Sequence, residues 1–330
     1  MNFVNKIRTA RALLGPPRPF ILYHKPTARC DCHCRFCDFW KGGEAENLMT
    51  NEEVLDMIDR AHAAGFTTYT LWGGEPLIAE EVGQWLASAR SHGMQTVMCT
   101  AGKRLSERAS EIGPHLERLL LSVEATGERH NSLRGTPGLF EAVTKGIDEF
   151  KRNSKGEITF WSNLTRENVD QVDNIARFAR EKGAVVEFFP AALYPGYNEE
   201  LVLSPEERKE VFGSIKDLKR SGLPVANTNY ALDLMGSGRP FRCNLARLAV
   251  QVGPDGSVFA CETRVLPDLD SYGDARTLDF SGLPKSVGYK KAVKRLSSCN
   301  LCLLPCVANM ADGLFHQVSR KIFDSSLVPY

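Results

Sequence analysis

The residues best suited to chemistry in this sequence are its cysteines, and three of them stand close together near the amino terminus. Cys30, Cys34 and Cys37 form a C-x3-C-x2-C pattern, which lets one tight loop direct three thiolates at a single inorganic centre. Three protein ligands leave one iron of a 4Fe-4S cluster open to another molecule. A zinc site is the alternative, because Cys32 or His33 can supply the fourth ligand that structural zinc requires.

A second group of cysteines lies in the last third of the chain. Cys243 and Cys261 belong to a C-x12-G-x4-C pattern, in which a turn signal at 254–257 separates two short apolar runs and predicts a β-hairpin. Two distant cysteines and a C-x2-C pair can build a four-thiolate site for zinc or for an iron–sulfur cluster. The cysteines that follow the hairpin are Cys299, Cys302 and Cys306.

Composition and charge narrow the classes of function. The 330 residues hold 41 Lys and Arg against 40 Asp and Glu, a net charge of +1 that argues against a nucleic-acid partner. The sequence has neither a signal peptide nor an apolar run of about 18 residues, so we expect a cytoplasmic protein. In a reducing compartment, clustered cysteines are more often metal ligands or catalytic thiols than disulfides.

Apolar and β-branched runs that alternate with helical patterns predict the elements that position these cysteines. Strands separated by helices of ten to fifteen residues imply a parallel sheet, here with six βα units rather than the eight of a closed barrel. We therefore predict an α/β fold, a partial (β/α)6 TIM-type barrel with a small cysteine-rich C-terminal domain. The predicted strands are 20–23, 67–71, 95–99, 118–123, 157–161 and 185–189.

We place one domain boundary near residue 196, beyond which the sequence predicts short elements and loops in place of regular βα units. Residues 20–196 then form the barrel and residues 197–330 the C-terminal domain, while residues 1–19 form a basic amphipathic segment. This segment packs its apolar stripe on the barrel, which is the more common arrangement, lies on an anionic membrane surface, or binds an acidic group. The stripe consists of Phe3, Ile7, Ala10 and Leu14, and the cations are Lys6, Arg8, Arg11 and Arg18.

The first cysteine loop, with Phe36 directly before its last cysteine, resembles the hallmark of the radical SAM superfamily. The resemblance covers about residues 20–190. It implies that Cys30, Cys34 and Cys37 hold a 4Fe-4S cluster whose open iron is chelated by S-adenosylmethionine. Cys32 is then an extra cysteine, which we expect to point away from the cluster.

Motifs after the next strands resemble those of the same superfamily. The sequence Gly73-Gly74-Glu75-Pro76 is similar to the motif that binds the amino group of S-adenosylmethionine, since paired glycines permit close approach and Glu75 accepts from an ammonium. Ala101 departs from the Thr-Asn-Gly that family members often carry after the third strand.

Four further polar residues match superfamily positions. Ser122 and Glu124 resemble the family's serine-x-aspartate, whose side chains approach the ribose or the methionine moiety. Arg134 lies in a histidine-x3-arginine-glycine stretch that meets the carboxylate of S-adenosylmethionine, a group that a guanidinium binds by paired hydrogen bonds. Asn163 stands where a contact to the nucleoside is common, although a turn-forming asparagine explains it equally well.

The second cysteine group resembles the SPASM and Twitch extensions of radical SAM enzymes, which carry auxiliary iron–sulfur clusters. Five cysteines imply one auxiliary cluster, with Cys243, Cys261, Cys299 and Cys302 as its ligands. Cys306 departs from the simple Twitch pattern and either replaces one of these ligands, binds a second partial site or stays free.

These resemblances predict an enzyme that reductively cleaves S-adenosylmethionine to a 5′-deoxyadenosyl radical, which abstracts hydrogen from a substrate C–H bond. The auxiliary cluster assists electron transfer or substrate binding, and flavodoxin or ferredoxin supplies electrons. The substrate is a small molecule, a lipid or a peptide; only 29 residues precede Cys30, which disfavours a leader-peptide module there. The alternative is a zinc-stabilised binding or scaffold protein. No residue is singled out as a base, and Tyr194, Tyr197 and Glu187 are candidates by position only.

Overall fold

The computed structural model describes residues 1–41, 43, 45–263 and 266–304, so Cys306 of the second cysteine group lies outside the described residues. The strands are β1 Ile21–His24, β2 Thr68–Leu71, β3 Gln95–Thr100, β4 Arg118–Ser122, β5 Glu157–Leu164, β6 Val185–Pro190, β7 Ala249–Val252, β8 Ser257–Phe259 and β9 Gly273–Asp274. The helices are α1 Phe3–Leu14, α2 Asn51–Ala63, α3 Val82–Ser91, α4 Leu105–Ile112, α5 Glu128–Leu133, α6 Leu139–Asn153, α7 Val172–Glu181, α8 Pro205–Arg220, α9 Asn229–Ser237, α10 Leu245–Leu248 and α11 Val287–Leu296.

The first six strands form a parallel sheet in sequential order, each joined to the next by a helical connection. All six predicted strands are confirmed, with ends that differ by no more than three residues. Because parallel strands place their carboxyl ends on one edge, the loops after β1 to β6 meet there. That edge carries the first cysteine group.

Local signals in the sequence set where the helices begin and end. Thr50 and Ser204 cap α2 and α8, and in each case a glutamate three residues later completes a capping box, Glu53 and Glu207. The predicted capping box at Thr50 is therefore confirmed. Three glycines that follow α2, α3 and α7 have positive φ angles, which only glycine adopts without strain: Gly65, Gly93 and Gly183.

The C-terminal region continues the main sheet instead of building a separate one. The predicted hairpin is present as the antiparallel pair β7 and β8, and β7 also pairs in parallel with β1, Ile21 opposite Ala249. The short strand β9 then pairs with β8. The described part of the sheet thus runs in the order β6-β5-β4-β3-β2-β1-β7-β8-β9. The first cysteine group follows β1, and Cys243 and Cys261 of the second group flank the β7–β8 hairpin beside it.

Helix α1 packs on the barrel with the face opposite its apolar stripe, so the stripe is not the buried face. Its buried residues are Asn5, Thr9, Ala12 and Leu13. Asn5 Nδ2 donates to the carbonyl of His92 at 3.1 Å, and the hydroxyls of Thr9 and Thr67 lie 2.7 Å apart. The expected packing of the stripe is wrong because this end of the barrel presents helix-terminal carbonyls and hydroxyls, which polar side chains satisfy.

No helix in the described residues is long and apolar enough to cross a bilayer.

Candidate active site

The first cysteine group lies in the loop directly after β1, and the neighbouring loops hold that loop in place. The amide of His33 donates to the Arg134 carbonyl at 3.0 Å, and the amide of Arg35 donates to the Leu133 carbonyl at 3.1 Å. A Cβ on Gly135 would stand 2.5 Å from the carbonyl oxygen of His33. The segment after β4 therefore packs backbone against backbone on the cysteine loop.

The loop after β6 also holds the cysteine loop. The hydroxyl of Tyr197 donates to the carbonyls of Cys34 at 3.2 Å and Cys37 at 3.1 Å. The side-chain Nδ2 of Asn198 donates to the carbonyls of Phe36 at 3.3 Å and Ala192 at 2.9 Å. Tyr197 thus uses its hydroxyl as a donor that fixes the loop, which argues against the role of base that its position suggests.

The thiols of this loop are largely withdrawn from water. Cys34 and Cys32 are buried, and Cys30 and Cys37 are half-buried. Burial raises the pKa of the Cys34 thiol to about 12, although the positive charge of Arg134 opposes the shift. Cys32 does not point away as expected: its thiol is hydrogen-bonded to that of Cys30 and lies beside Thr136.

The Gly73-Gly74-Glu75-Pro76 segment braces the cysteine loop from the end of β2. Gly74 has φ +42°, and a Cβ there would stand 2.5 Å from the carbonyl oxygens of Thr27 and Arg29. The close approach that the glycine pair permits is therefore to the chain's own backbone, just before Cys30. Pro76 begins a short 3-10 helix, Pro76–Ile78.

Glu75 is fully buried and already has three hydrogen-bond donors. Its carboxylate accepts from the Thr100 hydroxyl at 2.7 Å and from the amides of Ala101 at 2.8 Å and Leu77 at 3.0 Å. Burial raises the pKa of Glu75, and these three donors oppose the shift. Because the contact from residue 101 comes from the backbone amide, alanine serves there as well as asparagine.

Glu124 and Arg134 form a buried ion pair beside the cysteine loop. Arg134 Nε donates to the Glu124 carboxylate at 2.8 Å, and Arg134 Nη1 donates to the Cys34 sulfur at 3.4 Å. The guanidinium also lies 5.8 Å from the centre of the Phe36 ring, within cation–π range. Ser122 is buried at the end of β4 and hydrogen-bonded to the Cys99 thiol. Phe36, Glu124 and Arg134, which the sequence predicts as site residues, thus lie together beside Cys34.

Several buried polar atoms at this carboxyl edge have no hydrogen-bond partner within the described residues. They are Asp31 Oδ1 in the cysteine loop, Trp72 Nε1 after β2 and Asn163 Oδ1 near the end of β5. A buried polar group without a partner costs roughly 1–3 kcal/mol. Three such atoms around one edge indicate a place where a polar ligand completes the hydrogen bonding.

The second cysteine group is assembled from distant parts of the chain around one apolar cluster. Cys243 and Cys261 are buried in it, and Cys299 and Cys302 pack against it. Burial raises the pKa of Cys243 to about 11 and of Cys302 to about 12, and the charge of neighbouring thiolates adds to both shifts. The four thiols are therefore near one another, as the spacing predicts.

Tyr194 and a small cavity lie near the cysteine groups. Burial raises the pKa of Tyr194, and the nearby Cys37 and Cys302 thiolates raise it further, so this phenol lies near a cysteine of each group. A cavity of ≈ 190 Å³ at the β7–β8 hairpin has walls that include Lys25, Trp72 and Cys261. Lys25 Nζ stands 4.3 Å from the centre of the Phe39 ring.

The donor set suits an iron–sulfur cluster. In the described residues no group of three or more Cys, His, Asp or Glu side chains is arranged to hold one metal ion. Each thiolate of a 4Fe-4S cluster binds a different iron, so these ligands stand farther apart than those of one zinc ion. The three loop thiols, a buried cation at Cys34 and the unpartnered polar atoms nearby suit a cluster with a bound polar ligand.

Sequence reasoning missed the residues that fix the loop without touching the predicted ligand. Asn198 and the ion pair between Arg104 and Asp31, 3.1 Å long, belong to this set, as does Asn168, which donates to the Glu124 carbonyl at 2.8 Å. The signal that identifies them is their position, since each lies in a loop that follows the carboxyl end of a strand.

Comparison with known proteins assigns this edge to a class. The family model described as "Radical SAM superfamily" matches residues 24–179. Residues 24–179 are thus similar to a radical SAM domain, and members of this superfamily are enzymes that use a 4Fe-4S cluster and S-adenosylmethionine.

Particular relatives agree with this class. An AdoMet-dependent heme synthase of Methanosarcina barkeri is 28% identical over 53% of this chain and 50% of its own length. The mycofactocin maturase MftC of Mycolicibacterium smegmatis is 22% identical over 75% of this chain and 65% of its own length. The chain thus spans about half to two thirds of the length of these relatives.

Solved structures share the fold. Streptococcus suis SuiB bound to S-adenosylmethionine superposes with a TM-score of 0.70 at 15% identity, covering 86% of this chain and 72% of SuiB. The structure of anSMEcpe with bound AdoMet and a Cp18Cys peptide gives a TM-score of 0.69 at 18% identity and covers 93% of this chain and 97% of that one. The predicted α/β fold with a parallel-rich sheet of the radical SAM barrel type is confirmed.

Proposed function

We propose that this chain is a radical SAM enzyme in which Cys30, Cys34 and Cys37 bind a 4Fe-4S cluster and S-adenosylmethionine binds the remaining iron. The observation that carries the proposal is the placement of the three thiols in one loop at the carboxyl end of β1, held by the loops after four other strands. Such support fixes three ligands before the cluster arrives, as an iron with an open position requires.

The residues around the loop suit S-adenosylmethionine. Arg134 stands against Cys34, where its guanidinium meets the carboxylate of a methionine moiety bound at the same cluster. Glu124 holds that guanidinium, so it acts on the ligand through Arg134. The remaining predicted contacts come from Phe36, from Gly73, Gly74, Glu75 and Pro76, and from Ser122.

The chemistry that a bound cluster supplies is one-electron cleavage of S-adenosylmethionine to methionine and a 5′-deoxyadenosyl radical, which takes a hydrogen atom from a substrate C–H bond. Residues 20–196 orient the reactants and exclude water, since such a radical is quenched by other hydrogen donors. Flavodoxin or ferredoxin is the proposed electron donor.

We assign residues 197–330 to a Twitch-like region with one auxiliary cluster on Cys243, Cys261, Cys299 and Cys302. Support comes from the four thiols that share one apolar cluster and from Tyr194, which lies near both Cys302 and Cys37. A cluster bound there would accept an electron from the substrate or bind the substrate directly. Tyr194 is positioned to donate or accept a proton near Cys37 and Cys302.

The size of the cavity lined by Lys25, Trp72 and Cys261 favours a small reacting group. Its ≈ 190 Å³ is less than the roughly 300–1,000 Å³ of pockets that enclose a drug-sized ligand. One amino-acid side chain of a peptide, or a metabolite of similar size, fits better than a lipid tail or a tetrapyrrole. The solved relative SuiB has been crystallised with its precursor peptide SuiA, which is consistent with the peptide option.

Anaerobic reconstitution tests the proposal. We expect a brown wild-type protein with about eight irons per chain that converts S-adenosylmethionine to 5′-deoxyadenosine when reduced. The triple variant Cys30→Ala/Cys34→Ala/Cys37→Ala should keep the second group's iron and form no 5′-deoxyadenosine. A colourless wild-type protein that holds only zinc would instead support the scaffold alternative.

A further inference from the structure

Helix α1 presents an apolar stripe to solvent on the side of the molecule opposite the candidate active site. Phe3 is 75% exposed, Leu14 62% and Ile7 40%, and Ala10 is half-buried. At 100° per residue these four positions fall within an arc of about 60° and extend over about 16 Å of helix. A monomer surface seldom displays a continuous apolar strip of this kind without a partner.

The chemistry around the stripe is entirely cationic along this part of the chain. Residues 1–30 contain no Asp or Glu. Lys6 and Arg11 are exposed and flank the stripe on its two sides. An apolar face bordered by cations on a helix lying flat against its own protein is the pattern of an interfacial helix.

A second basic feature adjoins the same helix. Met1 and Lys6 form part of the wall of a depression of ≈ 810 Å³ at the amino ends of β3, β4 and β5. Two acidic side chains line it, and each is ion-paired: Glu117 with Arg90 at 2.6 Å and Glu157 with Arg118 at 2.9 Å. The other cations of the wall are Lys151, Arg152 and Lys155.

Backbone and side-chain contacts fix the orientation of α1 beneath the barrel. The amide of Asn2 donates to the carbonyl of Gly93 at 3.2 Å, and Arg8 donates to the carbonyl of His62 at 3.4 Å. Both carbonyls lie at carboxyl ends of helices, hence at the amino edge of the sheet. The cysteine loop opens at the opposite edge, after β1.

We propose that the α1 surface, defined as the exposed stripe, its flanking cations and the adjoining basic depression, docks the protein on an anionic lipid bilayer. The apolar stripe inserts among the acyl chains near the headgroups, while the cations pair with lipid phosphates and carboxylates. The mouth of the candidate active site then faces away from the bilayer, so the membrane is a platform and not the source of the substrate.

Vesicle sedimentation of the full chain tests this docking without any need for cluster or activity. We expect pelleting with phosphatidylcholine vesicles that contain about a third phosphatidylserine, weak pelleting with phosphatidylcholine alone, and release at high salt. Phe3→Ser/Ile7→Ser/Leu14→Ser should weaken binding at least about tenfold, since it removes the inserted groups. Lys6→Glu/Arg11→Glu should weaken it by about 25-fold or more, at about fivefold for each cation lost.

Helix α11 supplies matched controls on another surface. Val287 is 69% exposed, and Lys290 and Lys291 are exposed, so Val287→Ser and Lys290→Glu/Lys291→Glu make the same chemical changes there. These variants should bind as wild type does. Thermal melting of all variants by circular dichroism shows that the fold is retained, because every altered side chain is exposed.

Fluorescence tests the orientation. A Phe3→Trp variant should be quenched by vesicles with brominated acyl chains, whereas the four native tryptophans of wild type should not be. Equal binding to neutral and anionic vesicles, or unchanged binding by the serine variant, would overturn the proposal. So would a dimer in light scattering that the serine variant abolishes without any vesicle binding, since the stripe would then belong to a second copy.

Discussion

The two cysteine groups are held in place by different means. The first occupies the eight residues 30–37 and is fixed by side chains from far along the chain, such as Tyr197 and Arg134. The second spans residues 243–302, and its thiols accept hydrogen bonds from backbone amides close by, Leu245 for Cys243 and Glu262 for Cys261. The first group therefore depends on the tertiary structure of the barrel, and the second depends on burial in an apolar cluster.

This difference suits two different tasks. A cluster that must leave one iron open to a ligand needs a loop whose shape does not change, because a water or a fourth side chain would otherwise fill the open position. A cluster that is fully ligated by protein needs only four thiolates gathered in a dry environment. The arrangement of supports thus agrees with a catalytic role for the first group and an auxiliary role for the second.

The largest expected effect separates the two groups by composition. Cys243→Ala/Cys261→Ala/Cys299→Ala/Cys302→Ala should lose about half of the iron while it still forms 5′-deoxyadenosine on reduction. Iron and sulfide analysis together with product chromatography measures both quantities. Loss of S-adenosylmethionine cleavage with the first group's iron intact would contradict the division of roles.

A single added methyl group tests the dependence of the first group on the barrel. Gly74→Ala forces a Cβ against two backbone carbonyls at 2.5 Å and also retains an unfavourable positive φ, so it should destabilise the fold by about 3 kcal/mol or more. Gly222→Ala is the control, because Gly222 has φ +85° and nothing within 4 Å of its Cβ position. It should cost about 1 kcal/mol in urea unfolding. Equal costs would show that the contact with residues 27–29 is unimportant.

The sequence predicted the barrel well because its strands are continuous apolar runs separated by capped helices. Thr50 and Gly65 mark the two ends of α2 by rules that depend only on neighbouring residues. The cysteine loop was equally predictable from the sequence, since the short spacing of its three cysteines defines an iron–sulfur loop.

Contacts between residues far apart in the chain could not be predicted from the sequence. Nothing in the spacing shows that Tyr197 or Asn198 reaches the loop 160 residues earlier. The apolar stripe of α1 was assigned to the core because periodicity reports which residues share a face, but not which face a neighbour covers. Burial of Asn5 and Thr9 was decided by the carbonyl and hydroxyl groups that they meet.

Acid should weaken the framework of the first group before that of the second. Burial lowers the pKa of His24 and of His130 to about 3, so the unfolded chain gains protons below about pH 6.5 that the folded chain does not. The stability from each neutral histidine is complete above pH 6.5 and falls by about 1.4 kcal/mol per pH unit below it, about 2 kcal/mol at pH 5. Residues 197–304 contain no histidine.

Urea unfolding at pH 7 and pH 5 measures the net change in stability, and His24→Gln should make the loss on acidification smaller by about 2 kcal/mol. Hydrogen exchange corrected for intrinsic rates should show that α3, whose Trp85 ring lies 5.5 Å from the His24 ring, loses protection before α8 and α9. Earlier loss in α8 and α9 would contradict this order.

The smallest expected effect concerns the electronic environment of the first group. The cationic N–H of Arg134 that meets the Cys34 sulfur stabilises added negative charge, so it should raise the reduction potential of a cluster bound there. Arg134→Gln should lower that potential by tens of millivolts in an EPR-monitored titration, with Arg134→Lys intermediate. The second group's potential should stay unchanged, because its described donors are backbone amides. Arg104→Gln is the matched control, since Arg104 pairs with Asp31 in the same loop. An equal shift in both variants would mean that net charge near the loop, and not the hydrogen bond to sulfur, sets the potential.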